Sequence, residues 1–190
     1  WRDPGEAGVP PVLDVSGSKN IASAELSFPA PQRFDDGYSK WAGYKHSIAL
    51  PVKFTLKGPG ADGIDANIFL GICETICIPV QGRLQVDPAD DPGDAADAAL
   101  VKAAFAALPK PDESGFGVKL LDSDAGHVEV EAHAPHGTEP LDFFLASEQG
   151  YVFGTPERKE VDGKVRFSVP LLDRPETTPT QGALSYTLTT

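Results

Sequence analysis

Short segments in which apolar and polar residues alternate recur along this 190-residue chain, and they constrain its fold more than any other feature. Alternation with a period of two places successive side chains on opposite faces of a β-strand. The strictest case is HVEVEAHA, with predicted inward residues Val128, Val130, Ala132 and Ala134 and predicted outward residues His127, Glu129, Glu131 and His133. The segments KVRFSV and ALSYTLT repeat the pattern. We therefore predict an all-β fold.

A longer alternating segment, HSIALPVKFTL, predicts another strand in the first half of the chain. Its same-face residues are Ile48, Leu50, Val52, Phe54 and Leu56. Pro51 interrupts this run, and proline cannot donate a hydrogen bond to a neighbouring strand, so we expect an edge strand or a bulge there. The 19 glycines and 18 prolines of the chain favour many turns and short strands over long helices.

The segment DDPGDAADAALVKAAFAALPKP predicts a helix. Asp90 or Asp91 is the expected N-cap, Pro92 fits the first turn, and the other acidic residues favour the N-terminal end. The predicted apolar stripe consists of Leu100, Ala104, Phe105 and Leu108. The two prolines that follow, Pro109 and Pro111, are expected to end the helix.

The strand segments recur at the roughly 8–12-residue spacing that is typical of β-sandwiches, without a regular alternation of strands and helices. We therefore predict two β-sandwich domains in tandem, residues 1–90 and 91–190, with the helix as a short linker at the start of the second. The boundary is expected in the acidic, proline-bearing segment Pro88 to Gly93. The first domain begins abruptly, which leaves open whether its opening strand lies within this sequence.

The charge of the chain excludes two classes of partner. Its net charge is −12, from 28 acidic and 16 basic residues, and it has no basic run, so nucleic acid and anionic lipid would repel it. No stretch approaches the roughly 18 consecutive apolar residues that a membrane-spanning helix needs, so we expect no direct membrane insertion. Because the chain begins at Trp1 and has no methionine, we expect a mature or excised fragment.

The two cysteines of the chain, Cys73 and Cys77, lie four positions apart in GICETICIPV, between two predicted strands. If residues 74–76 form a three-residue hairpin loop, the two cysteines face each other across the strand pair. Side chains at such positions are about as close as a disulfide requires, so a bridge is geometrically plausible. A structural clip, a pair of metal ligands and a redox couple all remain open at this point.

The small free energy that such a bridge contributes to stability argues against a purely structural clip. Closing a ring of five residues stabilises a fold by only about 2 kcal/mol, against about 4.7 kcal/mol for a 100-residue loop. A short-range bridge at a hairpin tip is also more accessible to another thiol. A zinc site needs four ligands and only two cysteines exist, whereas two thiolates, with His46 as a further candidate, suit Cu(I).

Together with WRDPGEAGVPP, FPAPQRFDDG and the helix end ALPKP, the segment GICETICIPV resembles the periplasmic N-terminal region of the DsbD/ScsB family of thiol:disulfide interchange proteins. The similarity extends over most of the chain, and C-x-x-x-C-x-P is its most specific part. It is closer to the ScsB-like branch than to the enterobacterial DsbD domain, whose two cysteines are further apart.

The resemblance implies an immunoglobulin-like redox domain in the periplasm, with thiol:disulfide interchange as its activity. Such a domain accepts electrons from a membrane-embedded reductase domain and passes them to periplasmic thioredoxin-fold proteins. The catalytic residues carried over are Cys73 and Cys77, whose reversible disulfide replaces any bound cofactor. The family also links the chain to cytochrome c biogenesis and copper tolerance, and a copper(I)-binding module that uses the same two thiolates is the alternative function.

The resemblance further implies a small cap loop with an aromatic residue that shields the cysteines. The aromatic-rich segment RFDDGYSKWAGYKH is the best candidate for this loop. Its candidate shielding residues are Phe34, Tyr38, Trp41 and Tyr44. When each of these aromatics is considered singly, ordinary core packing explains it better than a shielding role does.

Overall fold

The computed structural model describes residues 1–5, 8–60, 63–73, 76–124, 126–147, 149–176 and 184–190. Apart from one helix, the regular elements within these ranges are strands, which agrees with the predicted all-β class. The strands are β1 Val12–Asp14, β2 Ile21–Leu26, β3 Gln32–Asp35, β4 Lys40–Gly43, β5 Val52–Leu56, β6 Ile64–Cys73, β7 Cys77–Val86, β8 Gly117–Ser123, β9 His127–His133, β10 Asp142–Ser147, β11 Val152–Phe153, β12 Glu157–Val161, β13 Lys164–Asp173 and β14 Leu184–Thr189, and the helix is α1 Ala95–Ala106.

The chain forms two compact units that are interleaved in sequence. Unit 1 comprises Trp1–Arg2, Val9–Pro29 and Tyr44–Leu108, and unit 2 comprises Asp3–Gly8, Ala30–Gly43 and Pro109–Thr190. Each unit therefore consists of three chain segments, which alternate along the sequence with the segments of the other unit.

Unit 1 contains a three-stranded antiparallel sheet of order β1-β6-β7, a two-stranded sheet of β2 and β5, and helix α1. Strand β5 begins at Val52, directly after Pro51. The predicted strand was therefore too long at its start, because Ile48 and Leu50 lie before the proline and outside the ladder. In the three-stranded sheet, β6 is central and β7 is an edge strand among the strands described.

Unit 2 contains the better-packed core of the two. Strands β11, β13, β9 and β8 form one sheet in that order, β12 also pairs with β13, and β10 pairs with β14. The most deeply buried large side chains are Phe143, Phe167 and Val169, each less than 2% exposed. Three of the four predicted inward positions are confirmed, because Val128, Val130 and Ala132 are buried and belong to this core. The fourth, Ala134, lies beyond the end of β9 and is only partly buried.

One outward position predicted for β9 is wrong. Glu131 is only 4% exposed. Its carboxylate accepts a hydrogen bond from Lys164 Nζ at 2.9 Å and lies 3.5 Å from Arg166 Nη2, so two cations compensate its burial. The bond from Lys164 lowers the pKa of this carboxyl, which keeps Glu131 ionised.

Helix α1 begins later than predicted. Asp94, rather than Asp90 or Asp91, is the N-cap, and its side chain accepts a hydrogen bond of 2.7 Å from the Asp97 backbone N–H. Gly93, with φ of +92°, turns the chain just before the cap and separates Pro92 from the first turn. The predicted apolar stripe is largely exposed: Ala104 is buried, but Leu100 is 69% exposed. No helix in the described ranges has the length and apolar character needed to cross a membrane.

Strands β3 and β4 form a hairpin that the sequence patterns did not predict. An ion pair holds this hairpin within unit 2, with Arg33 Nε and Nη2 each 3.0 Å from an oxygen of Asp142 on β10. The same guanidinium lies over the ring of Phe144, 4.6 Å from its centroid. The Arg33–Asp142 ion pair spans 109 positions in the chain, which explains why an early hairpin belongs to the second unit.

Candidate functional site

The β6–β7 hairpin places the two cysteines side by side. Its antiparallel register pairs ten residues of each strand, from Ile64 with Val86 to Cys73 with Cys77 at the tip. The predicted cross-strand pairing of the cysteines is therefore confirmed. Their sulfur atoms form a disulfide, and their Cα atoms are 4.0 Å apart. Of the predicted loop, Glu74 and Thr75 lie outside the described residues.

The position of Pro79 indicates which cross-strand residue pairs of the hairpin are hydrogen-bonded and which are not. Proline has no N–H, so it fits an edge strand where its nitrogen points away from the neighbouring strand. Pro79 is paired with Gly71, and this pair is therefore of the non-hydrogen-bonded kind. The Cys73–Cys77 pair is also a non-hydrogen-bonded pair, because it lies two residues further along each strand and the two kinds of pair alternate. Side chains are closest in such pairs, which is where a cross-strand disulfide fits best.

The two faces of the hairpin differ in chemistry. The bridge shares its face with the Gly71–Pro79 pair, and the opposite face is apolar, with Ile72 opposite Ile78 and Leu70 opposite Val80. Near the tip the apolar residues are poorly covered: Ile72, Ile76 and Ile78 are 58%, 70% and 53% exposed. We call these three residues the tip patch. Both cysteines are partly exposed, so the bridge lies at a surface with apolar side chains next to it.

The far end of the hairpin is held by polar contacts. Arg83 on β7 forms a two-pronged ion pair with Asp65 on β6, with Nε 2.8 Å from Oδ1. This bond lowers the pKa of the Asp65 carboxyl. The Ser18 hydroxyl accepts a hydrogen bond of 2.9 Å from the Asp65 backbone N–H and donates one of 3.0 Å to its carbonyl oxygen. These contacts anchor β6 about 26 Å from the tip, given a rise of roughly 3.3 Å per residue.

The structure divides the four candidate shielding aromatics between the units. Phe34 and Trp41 belong to the β3–β4 hairpin of unit 2, where their rings stack with centroids 5.7 Å apart. Tyr38, at the turn of that hairpin, is fully exposed. Tyr44 belongs to unit 1 and is partly buried, and its hydroxyl donates a 2.8 Å hydrogen bond to the carbonyl oxygen of Pro29. Burial raises the pKa of Tyr44. A shielding role for these residues stays a prediction.

The two thiols proposed as copper ligands are oxidised to a disulfide in this structure. Both sulfurs are engaged in the disulfide, so Cu(I) binding requires the reduced protein. His46 is exposed. Within the described ranges, the group with suitable spacing for a metal ion is Asp122, Asp124 and His127, which does not include the cysteines. The copper alternative stays a prediction.

Two residues of the site were missed by the sequence reasoning. Gly71 lies on the face that carries the bridge, and Val9, in the segment before β1, packs directly against it. A signal was present in the sequence, because a glycine inside an otherwise apolar strand often marks the close approach of another part of the chain.

Comparisons with known proteins agree with this geometry. Residues 1–88 match the family described as "Thiol:disulfide interchange protein DsbD, N-terminal". Among solved structures, the chain is similar to the N-terminal periplasmic domain of ScsB from Proteus mirabilis, with a TM-score of 0.75 and 20% identity over 98% of this chain and 76% of that chain. No curated protein matches the sequence.

The two matches carry different weight. At 20% identity, the likeness to the ScsB domain shows the fold alone, and it extends over both units. The family match covers the segment that contains both cysteines, and the redox group of that family is a protein disulfide rather than a bound cofactor. Residues 1–88 are therefore similar to a DsbD N-terminal domain, and this match, together with the Cys73–Cys77 disulfide inside the matched segment, supports thiol–disulfide exchange as its chemistry.

Proposed function

We propose that this chain is a periplasmic electron-relay domain. Its Cys73–Cys77 bridge receives electrons from a membrane-embedded reductase domain of the DsbD/ScsB type and passes them to periplasmic thioredoxin-fold proteins. The single observation that carries this proposal is the position of the bridge, at the tip of a hairpin whose outer strand is a sheet edge among the described strands. The proposed activity is that of a protein-disulfide reductase component, and periplasmic location is supported by the description of the ScsB domain with the same fold.

A bridge that serves only stability would be poorly placed here. The strands on either side already pair over ten residues, and the bridge closes a ring of five residues. Such a ring adds about 2 kcal/mol at most, because the stabilisation comes from constraining the unfolded chain and grows with the size of the ring. The location is much better suited to exchange, since the sulfurs are partly exposed and a partner thiol can approach from the open edge.

The order of the strands favours attack on Cys77. Thiolate exchange requires the incoming sulfur to approach along the extension of the S–S bond, on the side away from the leaving sulfur. The bridge crosses from β6 to β7, so a thiolate that attacks Cys77 approaches from outside the edge strand β7. A thiolate that attacks Cys73 would approach from the side of β1. We therefore assign the mixed disulfide to Cys77.

Two successive thiol–disulfide exchanges transfer two electrons from the donor to this domain. A thiolate of the reduced donor bonds to Cys77 Sγ, the Cys73–Cys77 bond breaks, and Cys73 leaves as a thiolate. The second thiolate of the donor then attacks the first sulfur of the donor, which is bonded to Cys77, and Cys77 is released as a thiolate. The donor is oxidised to a disulfide, and this domain gains two electrons and, after protonation, two thiols. The acceptor step is the reverse, with the Cys77 thiolate attacking the acceptor disulfide and Cys73 resolving the intermediate.

The tip patch supplies a docking surface for these partners. Ile72 and Ile78 lie on the face of the hairpin opposite the bridge, and Ile76 lies directly before Cys77. An exposed apolar patch near a reactive group is typical of an interface that must form and dissociate. The patch carries no charge, so it suits partners whose own reactive sulfur lies within an apolar surface.

We further propose that each compact unit is an immunoglobulin-like β-sandwich domain, and that the chain passes for the last time from the first to the second directly after the helical segment, between Leu108 and Pro109. The first carries the redox couple. The second, with its own core around Phe143, Phe167 and Val169, acts as a scaffold or docking module. This division is supported by the concentration of exchange-competent groups in unit 1.

Trapping of a mixed disulfide tests the proposed relay. A Cys73→Ala variant keeps the attacking sulfur and lacks the resolving one, so it is expected to accumulate a covalent complex with thioredoxin-fold proteins in a periplasmic extract. The Cys77→Ala variant is the matched control and is expected to trap much less. Absence of reductant-sensitive complexes with both variants would contradict the relay.

A further inference from the structure

Val9 lies in close contact with the face of β6 that carries the bridge. A Cβ atom added at Gly71 would lie 2.8 Å from Val9 Cβ, 3.3 Å from its Cγ2 and 3.4 Å from its backbone nitrogen. Carbon atoms do not approach to 2.8 Å without displacement, so Gly71 is a glycine because Val9 occupies the space that any side chain would need.

The sequence explains why Val9 reaches this position. Strand β1 begins at Val12, which pairs with Phe69 on β6. Pro10 and Pro11 precede it, and neither has an N–H to donate to β6, so the ladder does not continue towards the hairpin tip. The chain before β1 is thereby released from strand pairing, and Val9 packs onto the sheet face instead.

Val9 lies on the β1 side of the bridge. Gly71 is two residues from Cys73, so it shares the face of β6 that carries the sulfur, one residue pair inward from the tip. The segment that contains Val9 lies on the β1 side of β6, whereas β7 has no neighbouring strand on its outer side among the strands described. Val9 therefore lies on the side from which a thiolate would attack Cys73, whereas none of the described strands lies on the Cys77 side.

We propose that Val9 is a specificity-determining residue that directs thiol–disulfide exchange to Cys77 by closing the Cys73 side of the bridge. Gly71 is its partner in this role, because only glycine lets the Val9 side chain lie against β6. The inference rests on the proposed function, in which the bridge opens to an external thiol. It adds that the choice between the two sulfurs is made by a residue outside the hairpin.

The test measures which sulfur a small thiol attacks. The oxidised protein is treated with reduced glutathione and quenched rapidly with N-ethylmaleimide, and fragment mass spectra locate glutathione on Cys73 or on Cys77. In the wild-type protein the adduct is expected mainly on Cys77. In a Val9→Ala variant, the ratio of Cys77 to Cys73 adducts is expected to fall roughly tenfold, the factor that corresponds to about 1.4 kcal/mol of lost discrimination.

Two matched controls separate this role from a general loss of structure. Val12→Ala makes the same chemical change at a 54% exposed valine on the same flank, further from the bridge, and is expected to keep the wild-type ratio. Gly71→Ala is expected to shift the ratio as Val9→Ala does. Gly82→Ala adds a methyl group on the same hairpin at an ordinary 3.5 Å from Ile68 and is expected to leave the ratio unchanged.

The outcomes distinguish this inference from the proposed function. If adducts form but Val9→Ala keeps the wild-type ratio, or the wild-type protein reacts equally at both sulfurs, the role of Val9 is refuted and the relay stands. If glutathione in large excess forms no adduct on either cysteine of the wild-type protein, the bridge does not exchange, and both the relay and the role of Val9 are refuted. Should Gly71→Ala fail to fold, the comparison of Val9→Ala with Val12→Ala decides the question.

Discussion

Ile72 and Ile78 lie directly opposite each other in the β6–β7 ladder, and both side chains are more than half exposed. They are the last cross-strand pair before the disulfide, on the opposite face of the hairpin. Exposure of a large apolar pair next to a reactive bond is unfavourable for an isolated domain, since each buried side chain of this size would contribute about 1.5–3 kcal/mol. Transient partners are expected to cover this pair during exchange.

Replacing Ile78 with serine should therefore weaken partner docking without altering the bridge. We expect the Ile78→Ser variant to lose roughly tenfold in the rate of exchange with a thioredoxin-fold protein, measured under second-order conditions, since the loss of one apolar contact is worth about 1–2 kcal/mol. The rate of reduction by dithiothreitol should stay within about twofold of wild type. Leu141→Ser changes a 62% exposed residue of unit 2 and serves as the control. Equal rates for both variants would exclude the tip patch from docking.

The ion pair between Asp65 and Arg83 predicts a pH dependence of stability. The bond from Arg83 lowers the pKa of Asp65 below its ordinary value of 3.8, so the ionised carboxylate favours the folded state. This contribution is complete above pH 3.8 and is lost as the pH falls through the lowered value. Thermal unfolding should show the wild-type protein more stable than Asp65→Asn at pH 7, with the difference shrinking below pH 4. A difference that stays constant down to pH 2 would contradict this assignment.

The core of unit 2 should be separable from the redox chemistry. Phe167 is 1% exposed and stacks against Phe143, with ring centroids 5.6 Å apart. We expect Phe167→Ala to lower the free energy of unfolding of unit 2 by about 3–5 kcal/mol, measured by hydrogen exchange of β9 and β13. Leu141→Ala should change it by no more than about 0.5 kcal/mol. Dithiothreitol should reduce the bridge at the wild-type rate in both variants, and a slower rate in Phe167→Ala alone would link the core to the site.

Copper titration separates the alternative function from the relay. If the two thiolates form a copper site, the reduced protein should bind one Cu(I) per chain in competition with a chelator, and Cys73→Ala should abolish this binding. The relay predicts instead that a thioredoxin-fold protein exchanges with the bridge at a rate that His46→Ala does not change. Tight copper binding combined with an inert bridge would favour the alternative.

Local patterns in the sequence predicted the strands and the site best where one face of a strand is buried. The alternation in β9 identified Val128, Val130 and Ala132 as core residues, and strand parity placed Cys73 opposite Cys77. Both results depend only on the two-residue period of a strand and on the short connection between neighbouring strands.

Contacts between distant parts of the chain could not be predicted in this way. The β3–β4 hairpin belongs to unit 2 because Arg33 pairs with Asp142, and Glu131 is buried because Lys164 and Arg166 compensate its charge. Val9 approaches Gly71 from a segment more than sixty positions earlier in the chain. Sequence periodicity carries no information about such pairings, since they depend on which elements the complete fold brings together.

The most direct test of the relay counts the thiols of this domain before and after contact with a protein reductant. The oxidised protein is incubated with reduced thioredoxin, alkylated and weighed by mass spectrometry, and the reduced protein is then treated in the same way with an oxidised thioredoxin-fold protein. If the domain relays electrons, no cysteine is alkylated at the start, two are alkylated after the first step, and none after the second. A bridge that remains closed in the first step, while dithiothreitol opens it, would contradict the relay.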